Sequence, residues 1–544
     1  MKRVIAHELD AKPFDLIVIG AGINGVAIAR DAAMRGLRVL VVDKGDIASG
    51  TTSWSTRLIH GGLRYLEHFE VRLVRESLRE RERLLRVAPH LVRPLGFLIP
   101  IYDEDRRGPA LVRVGMLAYD ALSFDKSLPR HRMLTRDAAL ERDPGLAADG
   151  LLAAAFYHDA QSEFPERLAV EIALSAHDNG AHVLTYHRVE RLLVEDGRVA
   201  GAQLRDERTG AATTARAAVT INVAGPWVDE VLDTAPPQPR LIGGTKGTHI
   251  VVERFPGAPR SALYVEAGDG RPYFIVPWNQ LFLIGTTDTR YEENLDRVEP
   301  TDDEIAYLIA ETNRVIPSAG LSEASVLYSY AGVRPLPHAP AGAEGAITRD
   351  HVIHDHAPDF EGLISIVGGK LTTHRALAEQ AVDRAFEKLG RPAPPARTAE
   401  LALPGGTNAD LDAYGHEFVA TSGLPEPVAR RVLRLYGARA EDVLALAREE
   451  PALADVFDTA TLAIGAEVVY ALRTELATTL QDILLRRTMV ALGPDAGLGA
   501  DRAAAPIAAR EAGWDDTRAE AEVRAFRERM EIFRPRAARI DAAA

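Results

Sequence analysis

Phe14-Asp15-Leu16-Ile17-Val18-Ile19-Gly20-Ala21-Gly22-Ile23-Asn24-Gly25, continuing through a helical stretch to Arg38-Val39-Leu40-Val41-Val42-Asp43, is the segment that decides the fold. The apolar run closed by Gly20 reads as a buried parallel strand. Ile23 to Arg35 reads as a helix with Val26, Ile28, Ala29 and Ala33 near helical spacing, ended by Gly36. Arg38 to Val42 is the next strand, so the unit is βαβ. Gly20, Gly22 and Gly25 form a G-x-G-x-x-G pattern, with Asn24 inside it, whose bare backbone lets a pyrophosphate approach the helix N-terminus. Asp43, at the end of the second strand, is placed to accept hydrogen bonds from ribose hydroxyls. Strand, loop, helix and terminal acid together predict an adenine dinucleotide but do not choose NAD or FAD.

Directly downstream, Thr51-Thr52-Ser53-Trp54-Ser55-Thr56-Arg57 offers a run of hydroxyl groups that suits cofactor phosphate or ring edges, and equally a solvated loop. Further along, Arg64 to Arg93 alternates charged and apolar residues, which predicts one amphipathic helix with Val71, Val74, Leu78 and Leu85 as its stripe, facing the core in the first reading and a membrane surface in the second. Gly150 to Tyr157 reads as a strand, and Pro165 to Asn179 as a helix with Pro in its first turn. His187 to Leu204 reads as a hairpin turning at Asp196-Gly197. Ala217 to Val223 is a second buried strand. Lys246 to Val252, Pro272 to Val276 and Leu281 to Gly285 suit an antiparallel sheet. Thr301 with Glu304 is a capping box. Leu363 to Val367 is a strand broken by Gly368-Gly369, with a helix from about Lys370 to Lys388.

The 544 residues, 47% hydrophobic and 26% charged, are enough for several packed domains. A net charge of −14 opposes broad nucleic-acid binding, because no overall positive field replaces phosphate counterions. Zero cysteines removes disulfides, thiolate chemistry and cysteine-held iron–sulfur clusters, so electrons leaving the chain need another carrier. No metal site is expected. The opening residues Met1 to Asp10 lack an apolar stretch of signal-peptide length, which predicts a cytoplasmic protein, and no apolar run reaches the span of a bilayer. Ile540 to Ala544 reads as a frayed tail.

Ser55-Thr56-Arg57-Leu58-Ile59-His60-Gly61-Gly62-Leu63-Arg64-Tyr65-Leu66-Glu67 resembles the segment that identifies FAD-dependent glycerol-3-phosphate dehydrogenases. Lys246-Gly247-Thr248-His249, Gly285-Thr286-Thr287-Asp288 and Ser329-Tyr330-Ala331-Gly332-Val333-Arg334-Pro335-Leu336 are similar to later blocks of that family. So are Ala346-Ile347-Thr348-Arg349-Asp350, Gly368-Gly369-Lys370-Leu371-Thr372-Thr373 and the stretch Arg473 to Arg487, all in family order. Three positions depart. Asp43 stands where Glu is usual, which predicts a longer or water-mediated ribose contact. His374 replaces a frequent Tyr, and Ala160 to Pro165 differs from the familiar pattern.

The resemblance implies an α/β FAD-binding domain of Rossmann-like, glutathione-reductase/D-amino-acid-oxidase type, an α+β antiparallel-sheet substrate domain and an all-α C-terminal domain. We divide the chain accordingly into 14–95, 160–235 and 345–390 for FAD, 96–159 and 236–344 for the cap, and 400–544 for the helical domain, with a linker near 391–407. The implied reaction takes hydride from glycerol 3-phosphate to FAD and passes the electrons to quinone. The implied setting is a homodimer held peripherally at the inner face of the cytoplasmic membrane. An oxidase releasing peroxide, an amine oxidase with an arginine-bound carboxylate, and a flavin-binding scaffold are the rivals.

Arg64, Arg349 and Lys370 are the implied phosphate ligands, since guanidinium forks and an ammonium suit a dianion. Arg334 is implied beside the substrate hydroxyl, where its permanent charge suits orientation rather than proton abstraction. His60 and His249 are candidate proton acceptors, with Asp288 a further one. The cofactor set comprises Gly20, Gly22, Asn24, Gly25, Asp43, Thr52, Ser53, Arg57, His60 and Val189. Ala224 and Gly225 at a strand end, Asp288, and Gly369, Lys370 and Leu371 at an expected helix N-terminus complete it.

Overall fold

Leu16 and Val18 face one side of strand β1 (Phe14–Ile19), Ile17 and Ile19 face the other, and both sides are packed in apolar layers. Side chains of a strand alternate faces, so burial on both is the signature of a central parallel strand. Helix α1 (Ile23–Met34) seals the first side, and strand β2 (Val39–Val42) runs parallel to β1 with Leu16 opposite Val39. Each such aliphatic side chain taken out of water contributes roughly 1.5–3 kcal/mol.

The computed structural model describes all residues except 3–8, 10, 11, 68, 236–238, 340–348, 409 and 536–544. The motif residues Ala346, Ile347 and Thr348 and the tail Ile540 to Ala544 therefore lie outside the described residues. In the first sheet the order is Val352–Asp355, Leu363–Val367, Ala212–Asn222, β1, β2, His182–Leu184. All neighbours are parallel except the first pair. The chain leaves β1 toward β2 on one side, while Ala212–Asn222 occupies the other, so a crevice opens at the carboxyl ends of the strands. The hairpin His187–Glu195/Arg198–Asp206 hangs from Ala212–Asn222. Asp196 and Gly197 both take positive φ, 50° and 74°, as the tight turn demands.

A second, larger sheet carries Thr245–Val252, Leu281–Gly285, Pro272–Trp278, Ala262–Glu266, Val92–Tyr102 and Leu151–Ser162 in that order, with Val326–Arg334 beside Thr245–Val252. Helix Asp302–Val315 starts at Thr301 with a full capping box to Glu304. After the irregular stretch 391–403, the regular elements among the described residues are helices and one small strand pair, Val456–Asp458 with Ala463–Ile464.

Two expected elements change. Arg64 to Arg93 is not one helix: a single turn, Arg64–Glu67, is followed by Phe69 at a left-handed φ of 57°, then helix Val71–Val87, then strand Val92–Tyr102. Val74 and Leu78 are buried as the stripe requires, but Val71 at the new N-terminus faces solvent. The helix expected from Lys370 begins at His374, so Gly369, Lys370 and Leu371 belong to the loop before it.

Candidate functional site

Gly20, Asp43 and Ala224 each follow the carboxyl end of a strand in the first sheet, and all three line one cavity of about 890 Å³. That volume falls within the roughly 300–1,000 Å³ of cofactor sites. The glycines are there because nothing larger fits the backbone path: a Cβ on Gly20 would press on the Val223 carbonyl, and one on Gly25 would collide with the Gly20 carbonyl. Gly22, by contrast, has only the Thr52 hydroxyl within reach of such a Cβ and otherwise faces the cavity at the start of α1. Thr52 Oγ1 accepts from the Ile23 N–H at 3.0 Å, fastening the hydroxyl loop to that helix start. Asp43 takes the Ala21 N–H at 2.6 Å and the Gly45 N–H at 2.7 Å on its two oxygens. Burial pushes its carboxyl up, against the pull of those two donors. The shorter acid is thereby spent partly on shaping the loops, with a lone pair per oxygen left for a ribose.

Asn24 and Val189 also line the cavity, and so do Gly225, Gly369, Lys370 and Leu371. The Asn24 Oδ1 atom is buried with no hydrogen-bond partner, which leaves an acceptor for a ligand. A strand-end crevice, a glycine cradle, a terminal acid and an orphaned amide together fit the expected FAD. Five members of the predicted set, Gly25, Ser53, Arg57, His60 and Asp288, do not line it. Arg57 is fully buried and clamps Glu166 through two 2.9 Å bonds, with Trp278 under its plane. Ser53 donates to the Ala48 carbonyl and only holds the loop. Asp288 turns away from the cavity to pair with arginines, as described below. Arg57 is charged inside a closed core and is neutralised there by Glu166, while the two Asp288 oxygens are taken up by Arg334 and Arg349. The missed lining residues Trp227, Arg529 and Phe533 come from a short helix and from the C-terminus. Arg529 and Phe533 carry no local motif and arrive only through long-range packing, including Phe533 against Trp54 at 4.9 Å.

Around Tyr65 the expected ligands come together. Lys370 Nζ sits 3.9 Å from the ring centroid, and Arg64, Arg334 and Arg349 all act electrostatically on the phenol. Tyr65 was unassigned in the sequence, and its presence inside the Ser55–Glu67 motif was the available signal. Lys370 Nζ and Arg349 Nη1 are buried nitrogens with no hydrogen-bond partner. Burial, aided by Arg349 and opposed by Glu70, Asp350 and Glu76, drops the Lys370 ammonium to about 7. Arg334 and Arg349 share Asp288: Arg334 Nη1 donates to Oδ1 at 3.0 Å and Arg349 Nη2 to Oδ2 at 2.9 Å. Burial would raise the Asp288 carboxyl, but the two guanidiniums outweigh it and hold it low.

The histidines differ. His249 is 2% exposed, is stacked on Tyr330 and has Nε2 within 2.9 Å of the Thr56 hydroxyl; burial and the nearby Arg334 and Arg57 keep it neutral. His60 is half-buried, edge-on to Phe274, with its backbone N–H held by Thr372. Burial lowers its pKa, and Lys370 lowers it further against Asp159. His374, the departure from the family pattern, is sealed against the Leu371 carbonyl at 2.7 Å and braces the loop that carries Lys370.

Residues 15–383 match the model of the FAD dependent oxidoreductase family, and residues 396–519 match that of the C-terminal domain of alpha-glycerophosphate oxidase. The chain is 47% identical to a glycerol-3-phosphate dehydrogenase of Synechocystis sp., over 96% of this chain and 97% of that one. It is 40% identical to a D-erythritol 1-phosphate dehydrogenase of Brucella abortus, over 87% and 94%. Among solved structures it resembles the glycerol-3-phosphate dehydrogenase of Bacillus halodurans complexed with FAD, with a TM-score of 0.78, 28% identity and 97% of each chain covered.

Proposed function

The chain belongs to the glycerol-3-phosphate dehydrogenase family of FAD-dependent oxidoreductases, and on that premise we propose that it oxidises sn-glycerol 3-phosphate to dihydroxyacetone phosphate and hands the electrons to quinone. The observation that carries the substrate is the cluster at Tyr65: four cations meet beside the cofactor cavity, with two buried nitrogens still open for an anion. A phosphate dianion completes such a cluster, whereas a single carboxylate leaves it over-supplied with charge.

FAD, when bound, supplies the two-electron acceptor. Gly20, Gly22 and Gly25 would leave room in the backbone for its pyrophosphate, and Asp43 would accept from its ribose hydroxyls. Arg64, Arg349 and Lys370 grip the substrate phosphate and so fix the distance of the neighbouring carbinol from the cavity. Arg334, held by the Thr286 hydroxyl at 3.2 Å and the Thr287 carbonyl at 3.3 Å, orients the hydroxyl and stabilises negative charge growing on its oxygen. His60 takes the hydroxyl proton: burial lowers its pKa and keeps the ring neutral, so it can accept one. His249 is the weaker candidate because Thr56 and Tyr330 enclose it.

The test is an anaerobic titration of the flavin-loaded enzyme with glycerol 3-phosphate, followed by a short-chain quinone. Bleaching and then recovery of the yellow colour is expected. A flavin that stays oxidised under glycerol 3-phosphate sinks the substrate, and recovery only with oxygen, with peroxide released, moves the protein to the oxidase class. The Brucella relative supports a second reading in which a longer polyol 1-phosphate is preferred; D-erythritol 1-phosphate in the same titration decides it by the ratio of kcat/KM values.

Membrane contact is peripheral in this reading. Among the described residues no helix is long and apolar enough to cross a bilayer. Helix Pro109–Leu122 instead exposes Leu111, Val114 and Leu117 along one face, with Phe124 just beyond it over Arg75. An apolar row beside arginines suits the surface of an anionic bilayer. Cosedimentation with anionic vesicles that survives Leu117→Gln combined with Val114→Ser would remove this face from consideration.

A further inference from the structure

The phosphate site already contains an anion of its own. Asp288 lies in the turn between strands Leu281–Gly285 and Thr289–Arg290, with one oxygen on Arg334 and the other on Arg349. Arg334 arrives from the end of strand Val326–Arg334, and Arg349 from a separate part of the chain, so a single carboxylate ties together two groups with no other reason to meet. We propose that Asp288 is a positioning residue that stands in for the substrate phosphate, holding Arg334 and Arg349 facing each other in the free enzyme and competing with the incoming dianion for both.

Three features separate a stand-in from a permanent salt bridge. The first is access: Asp288 is 15% exposed and Arg334 27%, so the bridge faces a ligand rather than the core. Second, Arg334 keeps its place without Asp288, because Nη2 is held by Thr286 and Thr287 while only Nη1 serves the carboxylate. The third is stoichiometry. Arg349 Nη1 and Lys370 Nζ are buried without a partner, so the resident carboxylate satisfies only part of the donor set. A dianion with three oxygens satisfies more of it. Without Asp288 the Arg349 guanidinium would be repelled by the fixed Arg334 and swing away, and the substrate would have to order it. With it the site is pre-formed, at the cost of a negative charge beside the phosphate.

This inference rests on the phosphate reading above, and its test is arranged so that the two fail separately. Inorganic phosphate is titrated calorimetrically into flavin-loaded wild type, Asp288→Asn, which keeps shape but removes the charge, and Asp288→Glu, which restores it. Loss of a like charge next to the ligand is expected to tighten phosphate binding roughly tenfold in Asp288→Asn. The KM for glycerol 3-phosphate falls with it, while kcat also falls as the product leaves more slowly. Asp288→Glu returns both toward wild type. A merely structural aspartate gives the opposite: phosphate affinity unchanged or weaker in Asp288→Asn at full flavin content and normal Tm, which overturns the proposal. If Asp288→Asn does not fold, Asp288→Ser takes its place. If neither folds, a structure of the wild type with bound phosphate decides, since both Asp288 bonds intact beside the ion also overturn it. Failure of glycerol 3-phosphate to reduce the wild type ends the substrate reading alone, because the phosphate titration still judges Asp288.

Discussion

Asp46 and Asp288 each grip two guanidiniums, and the two clusters could hardly differ more in purpose. Asp46, in the loop after β2, binds Arg486 at 2.7 Å and Arg487 at 2.8 Å, and none of the three side chains is more than 2% exposed. Asp482 adds a second carboxylate to Arg486 at 2.6 Å, so that charge is met inside the cluster. This closed pairing staples the C-terminal helical region to a loop that walls the cofactor cavity. The Asp288 cluster is open and includes a buried amine and a guanidinium nitrogen with no bond. A sealed, balanced cluster holds a fold together; a partly accessible, cation-rich one is a site waiting for an anion.

The comparison breaks most sharply at Arg334. Arg334→Ala should leave the fold intact but reduce kcat/KM by on the order of 10³, the cost of one oxyanion-stabilising group, in steady-state quinone reduction. Asp46→Asn should do the reverse, destabilising the protein by roughly 3–5 kcal/mol because sealed Arg487 loses its carboxylate and Arg486 keeps only Asp482. Its chemical denaturation midpoint falls, and the enzyme that remains folded still turns over. If Asp46→Asn keeps its midpoint, the stapling role is wrong.

Lys370 tests the site cluster from the stability side. Its folded value is about 7 against an ordinary 10.5, so between those two pH values the unfolded chain holds a proton that the folded chain does not. Stability contributed through this group therefore rises with pH across that window and is lowest at and below neutral pH. Lys370→Met should raise the Tm at pH 7, a gain of about 1–2 kcal/mol, lose that advantage near pH 10, and abolish phosphate binding. A Tm difference that does not depend on pH would contradict the lowered pKa of the buried amine. The smallest effect marks the baseline: Arg473→Ala removes an arginine whose pair with Glu511 is half exposed, and should shift stability by less than about 1 kcal/mol.

Much of this was legible without a structure, for local reasons. The βαβ unit, the glycine cradle and the terminal Asp43 are specified by neighbours in the chain, because strand alternation, helix capping and the room left by a missing Cβ act over a few residues. The Asp196-Gly197 turn and the Thr301 cap were readable for the same reason. Other features needed the tertiary structure. Arg57 and Arg334 are both arginines within motifs, yet one is locked on Glu166 in the core and the other faces the site, a difference made by partners far away in sequence. The break at Phe69, the late start of the helix at His374, and the arrival of Arg529 and Phe533 in the cavity wall also depend on distant packing. The sequence by itself determined which chemistry the chain carries and where its cofactor loop lies. Which charges are neutralised, and which are left open for a ligand, was decided only in three dimensions, because a charge is set by whatever surrounds it and not by the residues beside it in the chain.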